Sequence, residues 1–306
     1  MSICSSPPRG ARARRPTLLI VGCGDVGLRV LRELRGRWRV VALTKSPLRC
    51  GELRAAGAVP VVGDLDQPAT LARLGGLADA VLHLAPPPTQ GQRDPRTLAL
   101  VRALARFRRV RRLVYASTSG VYGDCRGDRV VETRALNPMT DRACRRVDAE
   151  RLVRWYGVAS AVKVTVLRVP GIYALDREGG DPRDRIRRGV PAMTAEQDVF
   201  TNHVHADDLA RACIAALMHG ATQRAIHVND DNTATLGDYL DRVADLSALP
   251  RVRRITREQA ALELSAAQMS FLSESRRLDN TRMKRELRLR LRYPTVEEAL
   301  KPPALS

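Results

Sequence analysis

The most constraining feature of this 306-residue chain is a glycine turn between an apolar segment and a helical one. The segment LLIVGCGDVG places Gly22, Gly24 and Gly27 in the pattern G-x-G-x-x-G. A strand pattern precedes the turn, helical spacing follows it, and a second strand pattern ends at Leu43. This context predicts a dinucleotide site, because the free N–H groups at a helix N-terminus bind a pyrophosphate. A glycine-rich turn without a ligand is the alternative.

Each glycine has its own predicted role. Gly22 permits the tight turn, Gly24 lets the backbone approach the pyrophosphate, and Gly27 lets the helix pack closely on the strand. Asp25 and Val26, between the last two glycines, belong to the same predicted cofactor loop.

The end of the second strand bears on which dinucleotide binds. Folds specific for NAD usually carry an acid here, which binds the ribose 2′-hydroxyl. This chain has Thr44, Lys45 and Ser46 instead. Two hydroxyls and a cation suit a 2′-phosphate. The sequence therefore favours NADP, with NAD as the alternative.

Strand and helix patterns alternate along the first 170 residues. The predicted strands are Thr17–Gly22, Arg39–Leu43, Val59–Val62, Ala80–Ala85, Arg112–Ser117 and Val162–Val169. The predicted helices are Val26–Leu34, Leu48–Ala56, Ala69–Leu74, Arg96–Phe107 and Thr140–Tyr156. This alternation predicts an α/β fold, a Rossmann-type doubly wound parallel sheet with helices on both faces.

The alternation breaks after Val169, which predicts a change of domain. We expect an NAD(P)-binding domain at 17–170 and a small C-terminal α/β lobe at 171–306 that mainly binds substrate. Within that lobe, a helix at Asp207–Met218 and a strand at Ala225–Val228 predict that about 200–230 returns to the core. Residues 1–16 contain no acid and are predicted to be a disordered basic arm.

The net charge of +19 raises the question of a nucleic-acid partner. Only four of the 52 basic residues are lysines, and aromatic residues make up 4% of the chain. Dispersed arginines and few stacking side chains argue against nucleic acid. A polyanion-binding surface is the alternative.

The apolar runs and the cysteines bear on whether the protein contacts a membrane, binds a metal or is located in the cytoplasm. No apolar run reaches the 18–20 residues that a membrane span requires, so we expect no membrane partner. The six cysteines are scattered without the spacing of a metal site, which predicts reduced thiols, no bound metal and a cytoplasmic protein.

Seven segments carry a resemblance to a known family. They are GDLD (63–66), VLHLA (81–85), ASTSGVYGD (116–124), ETRALNP (132–138), LRVPGIY (167–173), HVHADDLARA (203–212) and DNTRMKREL…YPT (279–295). In this order they resemble the extended short-chain dehydrogenase/reductase superfamily, and within it the NAD-dependent epimerase/dehydratase family, which acts largely on nucleotide sugars. The similarity covers about residues 17–300.

The resemblance implies roles for particular positions. Asp64 and Leu65 would lie beside the adenine, and Ala85 would lie along the cofactor. Thr118 falls at the family's catalytic Ser/Thr, which hydrogen-bonds the reacting oxygen, and Pro170 would border the nicotinamide. The alternative for Thr118 is a hydroxyl that completes a strand end. Family members are often dimers, which would place 96–107 and 140–156 in a homodimer contact.

The chain departs from the family where the family carries Tyr-x-x-x-Lys. Arg142 falls at the tyrosine position and Arg146 at the lysine position. An arginine stays protonated in proteins, so neither can act as general acid. Arg146 could still hold the nicotinamide ribose, and Arg142 could pair with a carboxylate or phosphate of a substrate. The glycine spacing also departs from the family's usual G-x-x-G-x-x-G, and both departures resemble the superfamily's atypical members.

Tyr122, four residues after Thr118, is the candidate replacement for the missing acid. A packed tyrosine with a satisfied hydroxyl is the alternative that we favour. Tyr115, Tyr173 and Asp141 are less well placed. For His83, His203 and His205 we expect partly buried, satisfied rings.

Two functions follow from these observations. The first is an NAD(P)-dependent oxidoreductase or epimerase/dehydratase-like enzyme that acts on a nucleotide sugar or another small carbonyl compound. The second is an NADP-binding sensor or regulatory protein without turnover, which the missing Tyr/Lys pair motivates.

Overall fold

The computed structural model of the protein describes residues 15–34, 36–265, 268–269 and 272–301. The predicted basic arm lies outside the described residues except for Arg15 and Pro16.

Thirteen strands are present in the described part of the chain. They are β1 Thr17–Val21, β2 Arg39–Thr44, β3 Val59–Val62, β4 Ala80–His83, β5 Arg112–Thr118, β6 Arg129–Val130, β7 Lys163–Val169, β8 Gly171–Tyr173, β9 Ala192–Met193, β10 His203–His205, β11 Arg224–His227, β12 Arg254–Ile255 and β13 Arg277–Leu278.

The helices of the same residues are α1 Asp25–Leu34, α2 Cys50–Ala55, α3 Pro95–Ala105, α4 Asp141–Ala159, α5 Pro182–Arg187, α6 Ala206–His219, α7 Leu236–Leu246, α8 Arg257–Glu263, α9 Thr281–Glu286 and α10 Val296–Leu300.

Seven of these strands form one parallel sheet in the order β11-β7-β5-β4-β1-β2-β3. The central strand β1 reads TLLIV and is buried along its whole length. A continuous apolar strand is what a parallel sheet covered on both faces requires. The order reverses between β1 and β4, which is the topological switch point of a doubly wound fold. The α/β fold predicted from the sequence is confirmed.

Helices cover both faces of the sheet. On one face, the apolar sides of α1 and α6 pack together against the strands. On the other face, α3 and α4 pack side by side and contribute Leu100, Leu104 and Val153 to the core. These two helices correspond to the segments suggested for a homodimer contact, and α4 exposes Trp155 and Val158.

A second core, apart from the sheet, lies in the C-terminal half. Apolar side chains of α5, α7, α8 and α10 form it with those of the short parallel pair β9 and β12. The segment around 200–230 instead contributes α6 and β11 to the main fold, and β11 pairs with β7. Two other short parallel pairs are formed by strands of the connecting segments. They are β8 with β10 and β6 with β13.

One predicted helix has a different form. Residues 69–74 form parts of two 3₁₀ turns, Pro68–Leu71 and Leu74–Gly76, rather than an α-helix. A Cβ at Gly75 would lie 2.7 Å from the carbonyl oxygen of Ala103, so the second turn packs directly against α3. Leu71 and Leu74, the two leucines of the predicted helix, are nevertheless buried.

Two arginines at the start of β5 and just before it have structural partners. Arg109 donates to the Gly76 carbonyl and to Asp79, and Arg112 donates to the carbonyls of Leu217 and Met218 at the end of α6. A cation at a helix C-terminus is favourable. None of the helices described here is both long and apolar enough to pass through a bilayer.

Candidate active site

A cleft of about 550 Å³ opens at the carboxyl ends of the sheet strands. It lies at the switch point, where the ends of β1, β2, β4, β5 and β7 contribute to its walls. Open α/β sheets bind their ligands at this place. The predicted cofactor residues that line it are Gly22, Gly24, Asp25, Val26, Gly27, Thr44, Lys45, Ser46, Asp64, Leu65, Ala85 and Arg146.

The glycine turn forms the floor of this cleft. Gly22 has φ +84°, and a Cβ there would lie 2.4 Å from the Ala85 nitrogen. A Cβ on Gly27 would lie 3.0 Å from Cys23 Sγ, so the start of α1 packs tightly on the turn. A Cβ on Gly24 would meet nothing within 4 Å, which leaves its backbone open to a ligand. The turn has the form that an approaching pyrophosphate needs.

The wall at the end of β2 is rich in hydroxyl groups and cations. Thr44 Oγ1 accepts from the Ser46 N–H at 3.2 Å, which closes a compact turn beside Lys45. Arg49, which the sequence reasoning missed, also lines this wall and donates to the Cys23 carbonyl at 2.9 Å. Its other nitrogens bind Glu52 at 2.8 and 2.9 Å. Arg49 therefore joins the end of β2 to the glycine turn.

Next to this wall, the loop after β3 brings Asp64 and Leu65 to the cleft, because β3 pairs in parallel with β2. Arg96, another residue that the sequence reasoning missed, lines the cleft here. It binds both carboxylate oxygens of Asp66, at 2.7 and 2.6 Å. This paired geometry ties the loop after β3 to α3.

A second cavity of about 470 Å³ adjoins the cleft, and Ile172 and Arg177 line both. Thr118, Pro170 and Arg142 lie in the wall of this cavity. Thr118 and Pro170, predicted beside the reacting centre, are therefore brought together, whereas Pro170 is absent from the lining of the larger cleft.

Arg142 and Arg146 reach different spaces from one helix. Residues four apart share a helix face, yet Arg142 near the start of α4 lines the second cavity and Arg146 lines the cleft. Arg146 donates to the Tyr115 hydroxyl at 3.0 Å and to the Ala116 carbonyl at 2.9 Å. Its position is thus fixed against β5.

The Thr118 hydroxyl accepts a hydrogen bond from the Gly120 N–H at 3.3 Å. Thr118 ends β5 and caps the 3₁₀ turn Ser119–Tyr122 that follows it. A hydroxyl that accepts from the backbone keeps its own proton for donation to another group. This contact is the strand-end alternative that the sequence offered for Thr118. Because the hydroxyl only accepts in this contact, it can still donate its proton to another group.

Tyr122 lies away from both cavities, in a buried polar network. Its hydroxyl is 2.6 Å from His227 Nε2 and accepts from Arg168 at 2.6 Å. His227 Nδ1 lies 3.0 Å from the Asp279 carbonyl, which assigns the proton to Nδ1 and leaves Nε2 to accept from the tyrosine. Burial raises the pKa of Tyr122 to about 12, against the opposing effect of the Arg168 charge. This geometry favours the packed, satisfied alternative for Tyr122 over the proposed role as general acid.

The same network reaches the edge of the cleft through Glu150. Arg168 and Glu150 form a buried pair at 2.8 Å, and the Ser117 hydroxyl donates to Glu150 at 2.6 Å. Ser117 lines the cleft one residue before Thr118. A buried pair with its remaining acceptors satisfied fixes the end of β5 in place.

The other candidate acids have partners outside the reacting centre. Tyr115 is buried and binds Arg146, Tyr173 donates to the Thr295 carbonyl, and Asp141 accepts from Gln92. Each therefore has a structural partner.

The three histidines are packed between other groups, but the expectation of satisfied rings is wrong for two of them, because Nδ1 of His83 and of His203 is buried without a hydrogen-bond partner in the described structure. Burial lowers the pKa of His83 to about 3, and its Nε2 lies 2.9 Å from the Thr97 hydroxyl. His205 Nδ1 accepts from the Asp207 N–H at the start of α6. His203 lines the second cavity and stacks on Tyr239, and burial lowers its pKa to about 4.

Arg177 connects the two cavities with the glycine turn. Its guanidinium pairs with Asp25, the first residue of α1. Asp25 also binds Arg29, whose buried side chain reaches Asp176 at 2.5 Å and Asp207 at 2.6 Å. These carboxylates raise the pKa of Arg29 against the effect of its burial. Sequence spacing gave no signal for Arg177, because its partner lies far away along the chain.

No group of three or more potential metal-ligating side chains occurs in the described ranges 15–34, 36–265, 268–269 and 272–301. The described cysteines, 23, 50, 125, 144 and 213, are free thiols.

Solved structures similar to this fold include a conserved protein of unknown function from Silicibacter pomeroyi. It is 28% identical, with a TM-score of 0.77, and the match covers 93% of this chain and 96% of the other. UDP-glucuronic acid 4-epimerase from Bacillus cereus, in complex with UDP-glucuronic acid and NAD, is 18% identical with a TM-score of 0.72. UDP-glucose 4-epimerase from Thermotoga maritima, with UDP-glucose, has the same identity and TM-score. Both of these matches also cover 93% of this chain and 96% of the other chain.

No curated protein matches the chain in sequence. The profile of the family described as "NAD dependent epimerase/dehydratase family" matches residues 18–229. Because this match spans well over half of the chain, the protein belongs to the NAD dependent epimerase/dehydratase family.

Proposed function

We propose that the protein is an NADP-dependent oxidoreductase or epimerase/dehydratase-like enzyme that acts on a nucleotide sugar or another small carbonyl compound. The observation that carries the proposal is the adjacency of two spaces. The cleft lined by the glycine turn adjoins the cavity that holds Thr118 and Pro170, through Ile172 and Arg177. A cofactor in the first space would present its reactive end to a substrate in the second.

The residues of the cleft fit a nicotinamide dinucleotide. Gly24 leaves an open approach at the N-terminus of α1, where a pyrophosphate would bind. Arg146 would hold the nicotinamide ribose, and Pro170 would border the nicotinamide. When bound, this cofactor supplies hydride transfer.

The wall at the end of β2 supports NADP over NAD. Thr44, Lys45 and Ser46 stand where NAD-specific folds usually carry an acid. Arg49 adds a second cation to this wall, although Glu52 neutralises part of its charge. Two cations and two hydroxyls would bind the three oxygens of a 2′-phosphate.

Thr118 is the proposed catalytic residue. Its hydroxyl accepts from Gly120 and retains a proton to donate to the reacting oxygen of a substrate. Such a donor stabilises the negative charge that develops on that oxygen as hydride is transferred.

Turnover measurements test this role. NADPH absorbance would be followed with a panel of carbonyl compounds and nucleotide sugars, including UDP-glucose and UDP-glucuronic acid. Thr118→Val should lower kcat about 100-fold, because a donor to the developing oxyanion is lost. Thr201→Val, the same substitution on another wall of the second cavity, is the matched control and should retain most of kcat. An unchanged kcat in Thr118→Val would remove Thr118 from the mechanism.

A second candidate function is an NADP-binding sensor without turnover. It is favoured by the arginines at the family's Tyr and Lys positions, together with the burial of the Tyr122 hydroxyl among structural partners. Tight NADPH binding with no turnover across the whole panel would support the sensor and reject the enzyme.

A further inference from the structure

The second cavity has an excess of positive charge. Four arginines line it, and two of them have carboxylate partners: Arg177 pairs with Asp25, and Arg276 pairs with Glu274 at 2.8 Å. Arg142 and Arg185 form no ion pair with any residue in the described part of the chain. The acids in the lining are Glu274 and Glu178, and Glu178 lies on an exposed segment.

Arg185 illustrates how poorly this charge is compensated. Its Nε is buried and lacks a hydrogen-bond partner in the described structure, and its Nη2 reaches only the Pro191 carbonyl at 3.4 Å. Burial and the nearby charge of Arg188 lower the pKa of this side chain, and the charge of Asp198 offsets them only in part. His203 adds no charge near neutral pH, because burial lowers its pKa to about 4.

Arg142 is the second residue of α4. It is exposed and has no ion-pair partner in the described part of the chain. Thr140 and Ala143 of the same helix start line the cavity with it. The partial positive charge of a helix N-terminus adds to that of the arginine. Thr118 and Pro170, the residues proposed beside the reacting atoms, share this lining. An anion held by Arg142 would thus lie in the same cavity as the reacting carbon.

We propose that the substrate carries a carboxylate close to its reacting carbon and that Arg142 binds this carboxylate. The inference rests on the proposed function, because it takes the second cavity as the substrate site. An arginine fork matches the two oxygens of one carboxylate, with two parallel hydrogen bonds. A phosphate dianion generally gathers several cations. Arg185, the other unpaired arginine of the lining, is only partly exposed with its Nε buried, so Arg142 is the exposed cation that a single carboxylate would meet.

Two pairs of probes isolate the carboxylate. UDP-glucuronic acid and UDP-glucose differ by the carboxylate at C6, and so do glucuronate and glucose. Dissociation constants would be measured by calorimetry on the full chain saturated with NADPH. We expect the acidic member of at least one pair to bind about tenfold more tightly than its neutral counterpart, because it gains a charge-assisted bidentate contact.

Matched arginine variants assign the preference to one side chain. Arg142→Ala should reduce the preference to less than about threefold, and Arg142→Lys should retain part of it, because a lysine keeps the charge and loses the fork. Arg151→Ala is the control: Arg151 is exposed on the same helix and lines neither cavity. Arg142 is exposed and unpartnered in the described structure, so its variants should fold like the parent, which the unfolding temperature checks.

Three results would overturn the inference. They are equal binding of the members of both pairs, no binding of either acid at millimolar concentration, and a preference that survives in Arg142→Ala. Tighter binding of glucose 6-phosphate than of glucuronate would replace the carboxylate by a phosphate and would also reject it. NADPH binding is measured first and separately, so a failed cofactor site is distinguished from a failed carboxylate site.

Discussion

Arg142 and Arg146 stand four residues apart on α4 and reach two different cavities. Arginine side chains stay protonated in proteins, so they can bind and orient a ligand but cannot exchange protons. Arg146 is held against β5 by Tyr115 and Ala116, whereas Arg142 projects without a partner in the described structure. The two side chains therefore divide binding between cofactor and substrate in our proposal.

Tyr122→Phe tests the structural role of that tyrosine. The substitution leaves His227 Nε2 without its partner in a buried region, and Arg168 Nη1 keeps only its hydrogen bond to the Glu132 carbonyl. We expect the free energy of unfolding to fall by about 1–3 kcal/mol, because unsatisfied buried polar groups are costly. Urea unfolding of the variant and parent measures the difference.

Activity per folded molecule provides the control for this substitution. If Tyr122 acts only through packing, turnover should remain near that of the parent at a temperature where both are folded. Lost turnover with unchanged stability would instead restore Tyr122 as the general acid.

Single site residues differed in how far the sequence could predict them. Most of the predicted residues that line the cleft follow from a motif and its context, because they lie in the glycine turn or where a strand ends, whereas Arg146 lies within α4 and was predicted from the resemblance. Arg49 stands five residues after Thr44 and could have been found as a further cation of that loop. Arg177 could not, since only the folded chain brings it to Asp25.

The glycine turn shows how an element combines a steric and a binding requirement. Gly22 has a positive φ and touches the backbone of Ala85, while Gly24 faces open space. The fold requires the first glycine, and in our proposal the approaching pyrophosphate requires the second.

Two alanine variants separate these requirements. Gly24→Ala should leave the free energy of unfolding within about 0.5 kcal/mol of the parent, because its Cβ meets no atom within 4 Å. It should weaken NADPH binding at least about tenfold, since the new methyl group would stand between the backbone and the pyrophosphate. Calorimetric titration and urea unfolding measure the two effects.

Gly22→Ala is the matched comparison in the same turn. It should lower stability as well as binding, because its Cβ would lie 2.4 Å from the Ala85 nitrogen at φ +84°. A Gly24→Ala protein that binds NADPH like the parent would contradict the proposed position of the pyrophosphate.

Strands with an extended apolar pattern could be predicted from the sequence, whereas elements of only a few residues could not. The seven strands of the main sheet correspond to predicted segments, because buried parallel strands read as continuous apolar runs. Two- and three-residue strands such as β6, β9 and β12 have too few residues to show any period. The 3₁₀ turns at 68–76 arise from close packing on α3, which local sequence does not reveal.

At the scale of the whole molecule, the order of strands creates the site. The sheet order reverses between β1 and β4, so the loops after these strands diverge and leave a cleft. The C-terminal half then covers that edge through the segment around Arg177 and the walls of the second cavity. Alternating patterns predicted the sheet, but the second cavity depends on contacts between distant segments such as 118–120, 199–203 and 274–276.

Calorimetric titration of the purified protein with NADPH, and separately with NADH, tests the central claim most directly. We predict that NADPH binds at least about tenfold more tightly, because Lys45 and Arg49 would pair with its 2′-phosphate. Lys45→Ala should weaken NADPH binding and leave NADH binding unchanged, because Lys45 is exposed at the cleft wall and, unlike Arg49, does not contact the glycine turn. NADH binding as tight as that of NADPH would contradict the NADP assignment, and the absence of binding by either would contradict the dinucleotide site itself.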